Sequence, residues 1–147
     1  MQIHRAYKYR LYPTPEQEAR LSAWVAAVRT LYNAALDQRK WYGRAAGTDP
    51  HGRDSRFNSI RQKKEIGHRK LKGDDELQWI TDAPADAFSY ALRDLDKAFK
   101  NFFDGRAAYP TYRRYGLNDS LTLSAFNTGK GWRRATNRFS LSNKPRY

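Results

Sequence analysis

The chain has 147 residues, enough for one domain or one compact domain with an insert, and carries 28 Lys and Arg against 15 Asp and Glu. The resulting formal net charge of +13 opposes compaction by self-repulsion and draws the chain to polyanions. There is no cysteine, His4, His51 and His68 are too scattered for a metal cluster, and no apolar run nears the roughly 18–20 residues of a spanning helix, so disulfides, a zinc ribbon and a membrane span are excluded.

Residues 3–12, IHRAYKYRLY, alternate as a strand would, with Ile3, Tyr7, Tyr9 and Leu11 on one face and His4, Lys8 and Arg10 on the other. Arg5, Ala6 and Tyr12 break the alternation, and Pro13 ends it for want of a backbone donor. Thr14 then caps a helix, Pro15 takes its first position and Gln17 completes a capping box. Leu21, Trp24, Val25, Val28, Leu31, Tyr32, Ala35 and Leu36 give that helix one apolar face as far as Tyr42, with Gly43 as its stop. Arg20, Arg29, Asp37 and Arg39 fall on its other faces.

Residues 44–76 form a gap in the organisation. GRAAGTDPHGRD reads as a loop, and a weak helical pattern with Phe57, Ile60 and Ile66 follows from Arg56 to Lys72, interrupted by Gly67. Between Arg53 and Lys72 stand eight Lys or Arg, so the segment is either a solvated basic helix or a partly disordered insert. A second strong helix follows, capped by Thr81 or Asp82, with Pro84 in its first turn. Phe88, Ala91, Leu92, Leu95, Ala98, Phe99 and Phe102 keep the helical period, Asp96 and Lys100 are spaced to pair, and Gly105 ends it. Trp79 and Ile80 are placed to pack back on one of the two helices.

Beyond it, Tyr109-Pro110-Thr111-Tyr112-Arg113-Arg114 is a basic aromatic loop. SLTLSAF (120–126) and NRFSLSN (137–143) alternate like strands, separated by Gly129 and Gly131. Residues 120–147 carry six Lys or Arg and no acid. The reading is α+β: a sheet of few strands, in which residues 3–12 pair with the late strands, plus two or more helices. With 10 Tyr and 4 Trp among the arginines, the composition suits base stacking as well as phosphate contact, although several of these rings serve the core.

The stretch AYKYRLYPTPEQEARLSAWVAAVRTLYNAAL (6–36) resembles the opening of the TnpB/OrfB insertion-sequence family, whose first strand ends R-L-Y-P and whose first helix carries R-x-x-Y-N, here Arg29 to Asn33. The resemblance resumes at WITDAP (79–84), runs through ALRDLDKAFKNFF (91–103) and enters YPTYRR (109–114), near the family's Y-P-R-F-R-K. Three blocks in order span about two-thirds of the chain; beyond Gly116 only strand pattern is left.

The resemblance implies the amino-terminal part of a transposon-encoded, RNA-guided DNA endonuclease: a small β-barrel-like wedge sheet with an inserted helical recognition domain of two or more helices. The wedge strand would be 1–13, the helical insert 14–106 with the basic segment 44–76 inside it, and the return to wedge strands 107–147. The implied partners are guide RNA and double-stranded DNA, with no membrane and no cofactor. The implied location is the cytoplasm of a prokaryote, in association with the nucleoid. The older name of the region, a helix-turn-helix, would need the second helix within a few residues of the first, whereas about 40 separate Gly43 from Pro84. The family's nuclease carries a carboxylate triad and a four-cysteine ribbon. Asp94, Asp96 and Asp104 lie on or at the end of a helix, where ion pairing accounts for them, so no cutting is expected of this chain and no catalytic or metal residue is assigned.

The candidates for nucleic-acid contact are Lys8 and Arg10 on the first strand, Arg29 and Asn33 in the motif, and Ser89, Lys97, Lys100 and Asn101 on the recognition helix. Tyr109, Tyr112, Arg113 and Arg114 in the basic loop lead them, because arginine pairs with phosphate while tyrosine stacks. Tyr32 lies on the apolar face and is read as core; Asn33 lies off it, open to backbone capping or to nucleic acid. Where the family often has Gln-Gln, Ser89 and Tyr90 stand here, and serine lacks the paired contact of glutamine to an adenine edge. A free-standing, nuclease-dead DNA-binding regulator is the alternative, and an enzyme completed by a separate nuclease chain is a third arrangement.

Overall fold

A computed structural model describes residues 10–45, 58–71, 83–117, 119–123, 132–135 and 138–141. Three helices carry the fold: α1 (Pro15–Ala45), α2 (Ser59–Leu71) and α3 (Ala85–Phe103). A two-stranded antiparallel hairpin, β1 (Trp132–Ala135) and β2 (Arg138–Leu141), follows with Trp132 opposite Leu141 and Ala135 opposite Arg138.

The start of α1 is set by the capping box. The Thr14 amide donates to Gln17 Oε1 at 3.0 Å and the Gln17 amide to Thr14 Oγ1 at 3.3 Å, satisfying two donors that helix geometry orphans. Glu16 and Glu18 place negative charge on the positive end of the helix dipole. α3 starts at Ala85, with Pro84 as its flanking residue and no side-chain cap; the proposed caps Thr81 and Asp82 lie outside the described residues. Its other end is a Schellman motif. Gly105 at φ +70° lets its own amide reach the Phe102 carbonyl (3.0 Å) and the Arg106 amide reach that of Asn101 (2.8 Å).

The core lies between α1 and α3. Val28, Leu31, Tyr32, Ala35 and Leu36 meet Ala87, Phe88, Ala91, Leu92, Leu95 and Phe99, all buried, with Trp24 half-buried at the edge. Leu36 and Leu95 are both fully enclosed at 0% exposure.

The helix α2 runs through Gly67 and packs against α3, but the face it turns inward is polar. Ile60 is 66% exposed while Gln62 is 1% exposed, the reverse of what an apolar period implies. Gln62 is stable there because each polar atom is satisfied. Its amide nitrogen donates to the Ala35 carbonyl (3.0 Å) and Gln38 Oε1 (3.1 Å), and its oxygen accepts two bonds from Arg39. The buried Arg39 guanidinium also reaches Asp96 at 2.6 Å, and that carboxylate accepts the Ser59 amide in the first turn of α2. Asp96 therefore joins three helices, and not the Lys100 that its spacing suggested.

The fold is helical with one hairpin, which corrects the α+β reading and its β-barrel-like wedge sheet. Among the described residues no barrel is present: residues 10–13 and 120–123 form no strand, and β2 pairs with the adjacent β1. The expectation failed because alternation has two solutions. Leu121 and Leu123 pack half-buried on the helical core with Thr122 exposed between them, so alternate side chains are covered without a sheet partner among the described residues. Residues 3–9, most of the 44–57 loop, Trp79 and Ile80 lie outside the described residues.

Candidate nucleic-acid interface

From Tyr109 to Leu117, and again at Asp119, the chain lies along α1 and runs opposite to it. Its seat is a stripe of four α1 residues spaced three or four apart, Lys40, Asp37, Asn33 and Arg29, a spacing that places them one above another on one face. Lys40 Nζ sits 4.0 Å from the centre of the Tyr112 ring and 5.9 Å from that of Tyr109. The Tyr112 hydroxyl donates to Asp37. Arg29 holds both carboxylate oxygens of Asp119 at 3.1 Å and lies 5.1 Å from the Tyr115 ring centre. The Gly116 amide, then Arg29, hold the Asp119 carboxyl below the usual carboxylate range.

Asn33 is the centre of the attachment. Its amide nitrogen donates to the Arg113 carbonyl at 3.0 Å, and its oxygen accepts the Arg113 amide at 2.8 Å. One side chain thus pairs both backbone groups of a residue 80 positions away. Asn33→Ala is expected to cost roughly 1–3 kcal/mol by leaving those groups without partners, against a near-neutral Asn101→Ala on the exposed end of α3. Equal melting of the two variants would show that the segment is not held there.

Arg113 is built in from its side chain as well. Its guanidinium lies 4.0 Å from the centre of the Tyr32 ring and 3.3 Å from Asp94. Burial pushes the Tyr32 hydroxyl up, and the Arg113 charge offsets part of that rise. Arg29, Tyr32 and Asn33 of the R-x-x-Y-N motif therefore all act on 113–119. Arg114 differs from its neighbour: it is exposed and, among the described residues, its guanidinium has no ion pair. Tyr109 is half-buried, set edge-on to Phe99 (5.6 Å) and Phe102 (5.2 Å), whereas Tyr112 is 45% and Tyr115 86% exposed.

The remaining candidates fall on α3 and at the lead-in. Lys97, Lys100 and Asn101 are exposed and follow Ser89 and Arg93 along one face of α3. The Ser89 hydroxyl donates to the Ala85 carbonyl at 3.1 Å. Arg10 is exposed, 5.4 Å from the Tyr12 ring, and Lys8 lies outside the described residues. The structure thus brings together Arg29, Asn33, Tyr109, Tyr112, Arg113 and Arg114 and leaves the α3 residues as a separate line. Sequence reasoning missed Lys40, Tyr115 and the buried Arg39. The spacing of positions 29, 33, 37 and 40 was the available signal for a second, polar seat on α1.

The chain is similar to known proteins over most of its length. A model of the OrfB insertion-sequence type, described as a helix-turn-helix domain, matches residues 1–47. A Streptomyces pristinaespiralis protein named provisionally as an RNA-guided DNA endonuclease is 36% identical over 135 residues, 88% of this chain and 31% of that protein. Escherichia coli K12 InsQ, named in the same provisional way, is 31% identical over 119 residues, 80% of this chain and 27% of its own length. The Salmonella dublin virulence protein VsdF is 30% identical over 112 residues, 75% of this chain but 92% of that protein. The chain thus spans less than a third of the first two relatives. No solved structure matches it.

Proposed function

The chain belongs to the TnpB/OrfB family of insertion-sequence proteins, and from that premise we propose that it binds guide RNA and the DNA beside the target, as the amino-terminal part of an RNA-guided endonuclease whose cutting resides elsewhere. The observation that carries this reading is the basic aromatic segment seated on α1. Its two most exposed rings, Tyr112 and Tyr115, flank Arg114, which has no ion pair among the described residues, while the neighbouring cations Arg29 and Arg113 are occupied in holding the segment in place. A positioned ring stacks on a base at lower entropic cost than a mobile one, and a guanidinium beside it takes a phosphate bidentately. Residues 14–106 act on this reading as the recognition body, and Arg10, Lys97, Lys100 and Asn101 add phosphate contacts around it.

The test is salt dependence. With six to ten phosphates neutralised, log K on duplex DNA should fall with log[salt] at a slope of roughly −5 to −9, and structured RNA from the chain's own locus should bind more tightly than random duplex. Arg114→Ala should flatten the slope by about 0.9, the share of one phosphate, without changing the melting temperature. A wild-type slope shallower than about −2, or no preference for that RNA, would point to a protein partner instead.

A second reading, a free-standing DNA-binding regulator without a nuclease, is favoured by one observation: the match to VsdF covers 92% of that relative. The reading frame that follows the chain separates the two, since cysteine pairs and an RNase H-like frame there favour the nuclease reading, including one in which a separate chain supplies the cutting.

A further inference from the structure

The segment seated on α1 makes no use of the groove between α2 and α3. One wall presents Ile60, Lys63 and Lys64 from α2; the other presents Ser89 and Arg93 from α3, with Leu92 enclosed beneath them in the core. No carboxylate lines it. Lys63 and Lys64 are exposed and, among the described residues, form no ion pair. Arg93 is steadied by the Tyr90 ring, 5.7 Å from its guanidinium carbon. Ser89 has committed its proton to the Ala85 carbonyl, so its oxygen turns lone pairs to an incoming N–H. Ile60 stands 66% exposed at the rim of a cationic concavity, an apolar side chain with charge around it.

We propose that this groove receives an unpaired nucleotide of a single-stranded nucleic acid, with the base against Ile60 and the adjoining phosphates on Lys63, Lys64 and Arg93. The inference rests on the nucleic-acid reading above and assigns the basic insert a task of its own. An isoleucine side chain set among cations in a recess between two helices is met face-on by a base turned out of its stack. A duplex keeps its base faces covered and would meet the rim cations alone. The positive rim selects the polyanion, and Ile60 selects its unpaired form.

The experiment is fluorescence anisotropy on the full chain with a labelled ten-nucleotide oligouridylate and a DNA duplex of equal length. Ile60→Ser should weaken oligouridylate binding on the order of fivefold, the effect of losing contact with one aliphatic side chain, and leave duplex binding and the melting temperature unchanged. Lys63→Ala with Lys64→Ala should flatten the single-strand salt slope by about 1.4, two phosphates' share. The proposal is overturned if Ile60→Ser leaves oligouridylate binding unchanged or weakens both ligands equally. It is equally overturned if polyglutamate competes with the oligouridylate at matched charge, which would make the groove an acidic-peptide site. If the groove variants are silent while Arg114→Ala flattens the duplex slope, this inference alone falls. If wild type binds neither oligonucleotide, the nucleic-acid reading falls with it.

Discussion

Leu95→Ala is expected to destabilise the chain by roughly 2–5 kcal/mol, the range for a leucine removed from a packed interior. Leu95 is 0% exposed on the α3 face that meets α1, in the same cluster as Leu36 and Leu92. The cost has two parts, lost transfer of the methyl-bearing atoms out of water and a cavity that two helices pinned by their own polar contacts cannot readily close. Denaturant unfolding followed by tryptophan fluorescence measures it, with Leu11→Ala as control, since Leu11 is 54% exposed and should stay within about 0.5 kcal/mol of wild type. Equal midpoints for the two variants would show that α1 and α3 do not form the core.

Asp96→Ala is expected to be the most damaging polar substitution, at roughly 2–4 kcal/mol. Arg39 is 7% exposed, and burial lowers its proton affinity while the bond to Asp96 restores part of it. Removing the carboxylate leaves a buried guanidinium with Gln62 Oε1 as its remaining side-chain acceptor, and deprives the first turn of α2 of the acceptor for its Ser59 amide. The side chain of Asp96 is itself 36% exposed, so water enters more easily than at a sealed pair, and the expected cost lies below that of a fully enclosed bridge. Asp96→Asn keeps an oxygen acceptor and should recover a good part of the loss. If Asp96→Ala and Asp96→Asn both melt like wild type, α2 is not keyed to the other helices through this group.

The sequence was most informative where a pattern is local. The capping box at Thr14 and Gln17, the apolar periods of α1 and α3 and the glycine stop at Gly105 all lie within a few residues of what they determine, and each is present as expected. α2 was legible only as a weak helix, because its inward face is carried by Gln62, which no hydropathy period reveals. Asp96 misled for a related reason: Lys100 is its neighbour in sequence, but Arg39 is the cation that has lost water and gains most from a carboxylate. The seat on α1 was the least legible feature of the candidate interface. Asn33 and Arg113 meet across 80 residues, and an asparagine off the apolar face gives no sign in sequence of whether it will bind a backbone or a ligand. The barrel failed on ambiguity, since alternating residues in a short segment suit a strand and an extended cover equally.

The seat also dictates where this chain tolerates a change of length. From Arg29 to Lys40 the helix rises about 16 Å, whereas the chain from Tyr112 to Asp119 could stretch to about 24 Å if fully extended. Among the described residues the surplus is taken up at the turn in which the Leu117 amide meets the Arg114 carbonyl and Gly116 adopts φ +70°. An added residue at that turn only enlarges a bulge already facing water, while one added between Tyr109 and Arg113 slides every attachment off its α1 partner. Insertions and deletions among related chains should therefore gather at 114–117, and the spacing from Tyr109 to Arg113 should behave as a ruler cut to the pitch of α1.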